Sequence, residues 1–178
     1  MSKRFKRITR SRNALRDDQH RYEHWLVDNQ VYFITSRCRD RFPAFASEEA
    51  KQIFWQKFEQ YTTKFGFEPW ITSLLDNHYH ALGYFALGAN LPKMMQRLHG
   101  SVAKLVNDLL SERRSEFWRN AKGQEYFDGC LRRPKQGILT YRYIQIQGQT
   151  WDREGLQAIC AYAREGGDGR CNQVGAGE

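Results

Sequence analysis

The strongest constraint on the fold of this chain is a predicted β-hairpin near the middle of the sequence. Residues 70–75 and 78–85 are rich in β-branched, aromatic and leucine side chains, and Asp76-Asn77 between them is typical of a tight turn. Strands joined by so short a turn pair in antiparallel fashion. The sequence therefore predicts a sheet with an antiparallel pair at these positions.

The hairpin lies between two predicted amphipathic helices. Ser47 begins the first helix, in which aromatic residues recur at helical spacing until Gly66 ends it. Asn90 and Pro92 begin the second and longer helix. The predicted apolar stripe of this second helix is Leu91, Met94, Met95, Leu98, Val102, Leu105 and Leu109.

The remaining segments complete the order of elements. Residues 31–38 and 126–131 predict further strands, and residues 138–147 predict a last helix. The resulting order is strand, helix, hairpin, helix, strand and helix. This order is typical of a ferredoxin-like α+β sandwich, in which an antiparallel sheet carries its helices on one face.

Composition narrows the class of protein. The chain has 178 residues, and its 28 Lys and Arg against 20 Asp and Glu give a formal net charge of +8. No run of about 18 uncharged apolar residues is present, so we expect no membrane span. The four cysteines are too widely spaced for a CxxC motif, and we expect them to be reduced.

Two segments concentrate the positive charge. Residues 1–24 form a basic arm, and residues 113–135 interleave basic with aromatic side chains and include Arg132 and Arg133. Both patterns suit contacts with nucleic-acid phosphates and bases. A solvated tail explains the arm equally well, and an organelle transit peptide is a third alternative. Half-buried aromatic side chains with a charged rim explain the second segment equally well.

His78 and His80 form the central chemical feature. Side chains alternate along a strand, so the two imidazoles project from one face while Tyr79 turns to the other. Two imidazoles at this spacing can chelate one divalent metal ion. Where such a motif stands alone, a pair of surface histidines without a metal is the commoner explanation.

Tyr143 and Gln147 form a second pair, four residues apart on the last predicted helix. Positions i and i+4 share a helix face, so the phenol and the amide are predicted to point the same way. A tyrosine can attack a phosphodiester when a metal polarises the phosphate, and an amide oxygen can serve as a further metal ligand. A core aromatic is the alternative for Tyr143 taken alone.

Together these features resemble the single-tyrosine HUH transposases, a family that includes the REP-associated tyrosine transposases. The resemblance covers residues 25–147, and it rests on FITSRC (33–38), DNHYHAL (76–82), LPKMMQRLHGSVAKLVN (91–107), FW (117–118), YFDGCLR (126–132) and YRYIQIQ (141–147). It implies a ferredoxin-like catalytic domain that acts on single-stranded DNA, usually at or beside a hairpin.

The resemblance also implies roles for individual residues. His78 and His80 match the metal ligands of the HUH motif, Tyr143 matches the nucleophile and Gln147 matches a third ligand. Tyr141 is the alternative nucleophile, but it lacks the isoleucine that directly follows the tyrosine in the family.

The implied reaction is nicking and rejoining of single-stranded DNA through a 5′-phosphotyrosine, assisted by Mg²⁺ or Mn²⁺. We expect Asn77 to orient a ligand histidine, and Arg37 and His99 to contact DNA. The expected partner is a hairpin-containing strand, with a homodimer as one arrangement found among relatives. We expect a cytoplasmic protein that associates with the nucleoid when bound to DNA.

The sequence divides into three predicted parts: the basic arm at residues 1–24, the catalytic domain at residues 25–147 and a divergent tail at residues 148–178. Seven of the fourteen glycines lie in this tail. We therefore expect the tail to be loosely attached, with helix limited to about residues 156–164.

Two other functions are compatible with the sequence. The first is a ferredoxin-like module that binds single-stranded nucleic acid without catalysis, although no RNP1 pattern is present. The second is a metal-dependent phosphodiesterase that uses the histidine pair with water as the nucleophile.

Overall fold

The described part of the chain folds into a five-stranded sheet with three helices. The computed structural model describes residues 26–118, 127–130 and 134–152, together with residues 157 and 161, with the backbone alone at 127–130, 134–138, 149 and 151. The strands are β1 (Gln30–Arg37), β2 (Phe67–Leu75), β3 (His78–Phe85), β4 (Phe127–Cys130) and β5 (Gln149–Asp152). The helices are α1 (Glu48–Phe65), α2 (Leu91–Asn107) and α3 (Pro134–Gln145).

The strand order is β4-β1-β3-β2-β5, and every neighbouring pair is antiparallel. The β2–β3 hairpin is present as predicted. α1 connects β1 to β2 across β3, and α2 connects β3 to β4 across β1. These two crossovers around a hairpin confirm the predicted ferredoxin-like α+β sandwich.

The sheet separates two cores. α1 and α2 pack on one face in a large cluster that includes Tyr79 and Phe85 of β3. α3 packs on the opposite face, where Tyr141 and Ile144 join Leu82 of β3. The expectation of helices on one face therefore holds for α1 and α2, while α3 covers part of the other.

Local signals set the ends of α1. The Ser47 hydroxyl accepts a hydrogen bond from the Ala50 amide at 3.2 Å, as an N-cap residue does. Gly66 follows the helix with a φ of 71°, a left-handed conformation that glycine adopts without steric cost. Phe54 and Phe58 are buried on the inner face, so both predicted ends and the predicted apolar face are confirmed.

The buried stripe of α2 differs from the prediction at its end. Val102 and Val106 are buried, whereas Leu105 is only partly buried and Leu109 is 39% exposed. The prediction for Leu109 is wrong because α2 ends at Asn107, before the stripe could continue.

A β-bulge shapes the middle of the sheet. β2 begins at Phe67, three residues earlier than predicted, and its pairing with β3 shifts between Pro69 and Ile71, so that Trp70 is an extra residue. Gly83 lies opposite this bulge, where an added Cβ would collide with the Glu68 carbonyl oxygen. Glycine is therefore required at this close approach of the two backbones.

The chain after α3 rejoins the sheet. α3 ends at Gln145, two residues earlier than predicted, and residues 149–152 then pair with β2 as β5. The expectation of loose attachment from residue 148 onward is wrong for these four residues, because they form an edge strand. Gln157 and Ala161 are helical, as expected for residues 156–164.

The basic arm at residues 1–24, together with Arg132 and Arg133, lies outside the described residues. Among the helices that are described, none has the length and apolar character needed to cross a membrane.

Candidate active site

The histidine pair lies on the sheet face that α3 partly covers. His78 and His80 have ring centroids 5.0 Å apart, and Tyr79 between them is 1% exposed in the core on the opposite face. This is the arrangement that strand alternation predicts.

Asn77 selects the tautomer of neutral His78. The Asn77 Nδ2 group donates to the Arg41 carbonyl oxygen at 3.3 Å, so Oδ1 is the atom that faces the imidazole. This Oδ1 lies 2.7 Å from His78 Nδ1 and can only accept, so Nδ1 carries the proton. Nε2 of His78 therefore keeps its lone pair, which is the state in which an imidazole binds a metal.

His80 is held by two residues of β1. Thr35 is the partner of His80 in the β1–β3 register, and its Oγ1 lies 2.8 Å from His80 Nδ1. The Phe33 ring stacks on the imidazole, with the two ring centroids 5.6 Å apart. His80 Nε2 is buried and has no hydrogen-bond partner among the described residues. A buried nitrogen without a partner is costly, so this atom favours a ligand that coordinates it.

The surroundings of both imidazoles favour their neutral form. Burial, followed by the charges of His78 and Arg37, lowers the pKa of His80 to about 4. Burial and then the Arg37 charge also lower the pKa of His78. Arg37 lies opposite His78 in the β1–β3 register. A neutral pair that resists protonation is suited to binding a divalent metal.

Tyr143 extends from α3 toward this pair. Its ring centroid lies 5.4 Å from that of His80, and the side chain is 47% exposed. The structure thus brings together three residues that the sequence singled out, from β3 and from a helix more than sixty positions later.

Tyr141 occupies a different environment. It is 4% exposed, packs with Leu82 and Ile144, and donates a hydrogen bond to the Asp152 carboxylate. Burial first, and then the contact with Asp152, raise the pKa of Tyr141 to about 12. Its hydroxyl is thus engaged with β5 and hard to ionise.

Gln147 lies beyond the end of α3, so the helical i, i+4 relation predicted with Tyr143 is wrong. Its main-chain oxygen accepts hydrogen bonds from Ser73 Oγ at 2.5 Å and from Thr150 Oγ1 at 2.8 Å. Ser73 is the β2 partner of His80 in the sheet register, which anchors this turn beside the histidine pair. No hydrogen bond of the described residues joins the Gln147 amide to either histidine.

His99 belongs to the other core. It is 1% exposed, its Nε2 lies 3.0 Å from the Tyr79 hydroxyl, and its ring stacks on Trp118 at 4.3 Å. The expected contact of His99 with DNA is therefore wrong, because the side chain has almost no accessible surface and lies across the sheet from the site.

Three residues of the site region were not predicted from the sequence. Thr35 and Ser73 flank His80 on its two neighbouring strands, and Asp152 holds Tyr141. The alternating polar positions in β1 and β2 are the only local signal for the first two. Their proximity to His80 depends on strand register, which the sequence did not reveal.

Within the described ranges, no group of three or more His, Cys, Asp or Glu side chains is placed to hold a metal ion by itself. A metal held here would therefore rely on the two imidazoles together with amide, water or substrate oxygens. The neutral pair and the unpartnered Nε2 of His80 fit such a metal.

The fold and the site together define a ferredoxin-like protein with a histidine pair facing a tyrosine on a separate helix. No family model and no curated protein matches the chain. Among solved structures, it is similar to a REP-associated tyrosine transposase bound to a REP hairpin, with a TM-score of 0.60 and 14% identity over 72% of each chain. A weaker likeness, with a TM-score of 0.48 and 12% identity, covers 69% of this chain and 95% of a provisional transposase from Deinococcus radiodurans. The first likeness shows a shared fold, in agreement with the family resemblance of the sequence.

Proposed function

We propose that this chain is a transposase-like nuclease that nicks and rejoins single-stranded DNA through a 5′-phosphotyrosine. The observation that carries the proposal is the exposed Tyr143 phenol beside His80, whose buried Nε2 has no partner among the described residues. The solved structure that shares this fold is a tyrosine transposase bound to a REP hairpin. That likeness supports a hairpin-containing strand as the substrate.

His78 and His80 would hold a divalent cation through their Nε2 atoms, with Gln147 proposed as a third ligand. The cation, when bound, supplies Lewis-acid withdrawal of charge from the scissile phosphate. Between the two expected ions, imidazole ligands suit Mn²⁺ better than Mg²⁺.

The chain itself supplies the nucleophile. The Tyr143 hydroxyl oxygen attacks the scissile phosphorus, and the phosphorus–O3′ bond breaks as the phosphotyrosine bond forms. The phenolic proton passes to solvent, and the departing O3′ takes a proton from solvent to become a free hydroxyl. The 3′-hydroxyl oxygen of another strand then attacks the phosphorus, the bond between phosphorus and the Tyr143 oxygen breaks, and the proton lost by that hydroxyl is balanced by one that the phenol regains from solvent. Because the phosphodiester energy is retained in the intermediate, no nucleotide cofactor is required.

A covalent adduct is the direct test of this proposal. Purified protein would be incubated with end-labelled hairpin-containing single strands, with Mn²⁺ or with EDTA, and run on a denaturing gel. We expect an adduct that requires Mn²⁺ and is absent from Tyr143→Phe, because only the phenol oxygen can form the covalent bond.

Tyr141→Phe is the matched control. It removes the hydroxyl group of a buried tyrosine that lies two residues from Tyr143 in the sequence. We expect it to retain the adduct at temperatures below its melting point, because the phenyl ring keeps the packing with Leu82 and Ile144 that holds α3 on the sheet. An adduct that persists in Tyr143→Phe and disappears in Tyr141→Phe would contradict the assignment of the nucleophile. Cleavage without any adduct would indicate water as the nucleophile, and binding without cleavage would indicate a non-catalytic module.

A further inference from the structure

A polar groove runs between the outer surfaces of α1 and α2, on the far side of the sheet from Tyr143. The two helices are antiparallel, since Asn90 Nδ2 at the start of α2 donates to the Phe65 carbonyl oxygen at the end of α1. The groove has a volume of about 280 Å³ and is lined by Tyr61, Gln96, Arg97, Gly100 and Ser101.

Arg97 lines this groove, and three further cations lie on the helix faces that form it. The Tyr61 hydroxyl and Ser101 Oγ, 2.7 Å apart, join the helices across its floor. On α1, Lys57 and Lys64 stand four residues before and three residues after Tyr61, and on α2 Arg97 and Lys104 bear the same relation to Ser101. Residues at these spacings share a helix face, so the two lysines of α1 share a face with Tyr61, and Arg97 and Lys104 share one with Ser101. Lys57 also donates a hydrogen bond to Gln60 Oε1, and Lys64 lies over the Phe65 ring.

Among the described residues, no acid lines the groove. α2 contains no Asp or Glu along its whole length. Glu59, the acid of α1 nearest in sequence to Tyr61, is two residues away and therefore points to another side of the helix. Among the described residues, none of the groove cations is in an ion pair, whereas other basic residues are paired with acids, namely Arg39, Lys51, Arg113 and Arg114.

The floor of the groove at Gly100 leaves space for a ligand to come close to the helix backbone. A Cβ atom added at Gly100 would meet no heavy atom within 4 Å. Arg97 and Lys104 are seven residues apart, which corresponds to about 10 Å along the helix axis. That distance equals the rise of about three nucleotides along one strand of B-form DNA.

We propose that the α1–α2 groove binds the phosphate backbone of nucleic acid, at a surface separate from the histidine–tyrosine site. The unpaired cations would neutralise phosphates, and the hydroxyl groups and glycine of the floor would admit the backbone. Because the sheet lies between the groove and Tyr143, the bound segment flanks the cleavage point or belongs to a second strand. The proposal concerns binding alone and does not depend on nicking.

The test is a double variant, Arg97→Gln with Lys104→Gln, measured by fluorescence anisotropy with a labelled hairpin oligonucleotide in EDTA. We expect Kd to rise about tenfold at low salt, and the slope of log K against log salt to become shallower by about 1.8 for two lost phosphate contacts. The matched control is Arg39→Gln with Lys51→Gln, which removes the same charge from cations that are already paired with acids and lie outside the basic segment at residues 113–135. We expect this control to change Kd less than twofold.

An equal rise of Kd in the two double variants would overturn the proposal, because the loss of net charge alone would then explain the weaker binding. An unchanged Kd in the groove variant would overturn it as well. Repeating the titration with an unstructured strand of equal length identifies the source of the phosphates. If the groove variant loses affinity only for the hairpin, the groove binds the phosphates of a duplex. If it loses affinity for both oligonucleotides, the groove binds the phosphate backbone of either form.

A thermal melt establishes that each variant is folded, and Lys57→Gln with Lys64→Gln tests the same groove from the α1 side. Adduct formation by the unaltered protein is measured separately. If no adduct forms, the nicking proposal fails while the binding data in EDTA still decide the groove proposal.

Discussion

Each imidazole of the candidate site is held by a different partner. Asn77 Oδ1 accepts a hydrogen bond from His78 Nδ1, and Thr35 Oγ1 lies at hydrogen-bond distance from Nδ1 of His80. In both rings Nδ1 is engaged and Nε2 is the other nitrogen. Nε2 of His80 can coordinate a ligand when the Thr35 hydroxyl accepts from Nδ1. The sequence suggested Asn77 because it precedes His78, whereas Thr35 becomes a neighbour of His80 only through the β1–β3 register.

Thr35→Val should weaken metal binding by about 10- to 100-fold, because the partner that orients a ligand histidine is lost. Mn²⁺ affinity measured by isothermal titration would show the change. Thr35→Ser is the matched control, since it keeps the hydroxyl, and we expect its affinity to stay close to that of the unaltered protein. Equal Mn²⁺ affinity for the valine and the unaltered proteins would show that Thr35 does not position His80.

At the scale of elements, α3 is the helix whose placement creates the site. Tyr141 and Ile144 on its inner side pack against β2 and β3, and this leaves Tyr143 on the exposed side. The hydrogen bond from Tyr141 to Asp152 ties the helix to β5, and the hydrogen bond from Ser73 to Gln147 ties its end to β2. The buried tyrosine therefore positions the helix that carries the exposed one.

The Tyr141–Asp152 contact predicts a dependence of stability on alkaline pH. The pKa of Tyr141 is raised to about 12 in the fold, against about 10 in an unfolded chain. The contribution of Tyr141 to the free energy of unfolding should therefore be complete below pH 10 and be lost as the pH rises through 12. The melting temperature of the unaltered protein should exceed that of Tyr141→Phe at pH 8, and the difference should shrink between pH 10 and 12. A difference in melting temperature that stays constant between pH 10 and 12 would show that the fold does not raise the pKa of Tyr141.

At the scale of the whole molecule, the two faces of the sheet differ in character. The face under α1 and α2 is closed by a core rich in aromatic residues, which includes His99 and Trp118. The described residues that pack on the other face include Tyr141 and Ile144 of α3, and this face carries the histidine pair. Because β5 follows Gly148 and pairs with β2, we propose that the folded domain extends past the predicted boundary, to at least Asp152.

A comparison of two shortened chains tests this extension of the domain. A chain that ends at Gly148 loses β5 and the Asp152 partner of Tyr141, whereas a chain that ends at Asp152 keeps both. With each lost hydrogen bond contributing about 1 kcal/mol, we expect the shorter chain to melt about 5 °C or more below the longer one. Coincident melting curves would show that β5 does not stabilise the domain.

The sequence by itself determined the features that local chemistry controls. Ser47 and Gly66 end α1 because capping and left-handed φ values act within one or two residues. Strand alternation places His78 and His80 on one face for the same reason. The order of the elements then restricted the topology to the ferredoxin-like arrangement that is observed.

Only the tertiary structure decided which residues meet across the fold. Tyr141 and Tyr143 differ in burial because of how α3 lies on the sheet, and Thr35 reaches His80 through strand register. β5 pairs with β2 although its segment gave no strand signal, because the edge of β2 supplies partners for its backbone groups. These outcomes depend on contacts between residues far apart in the chain, and no local pattern encodes them.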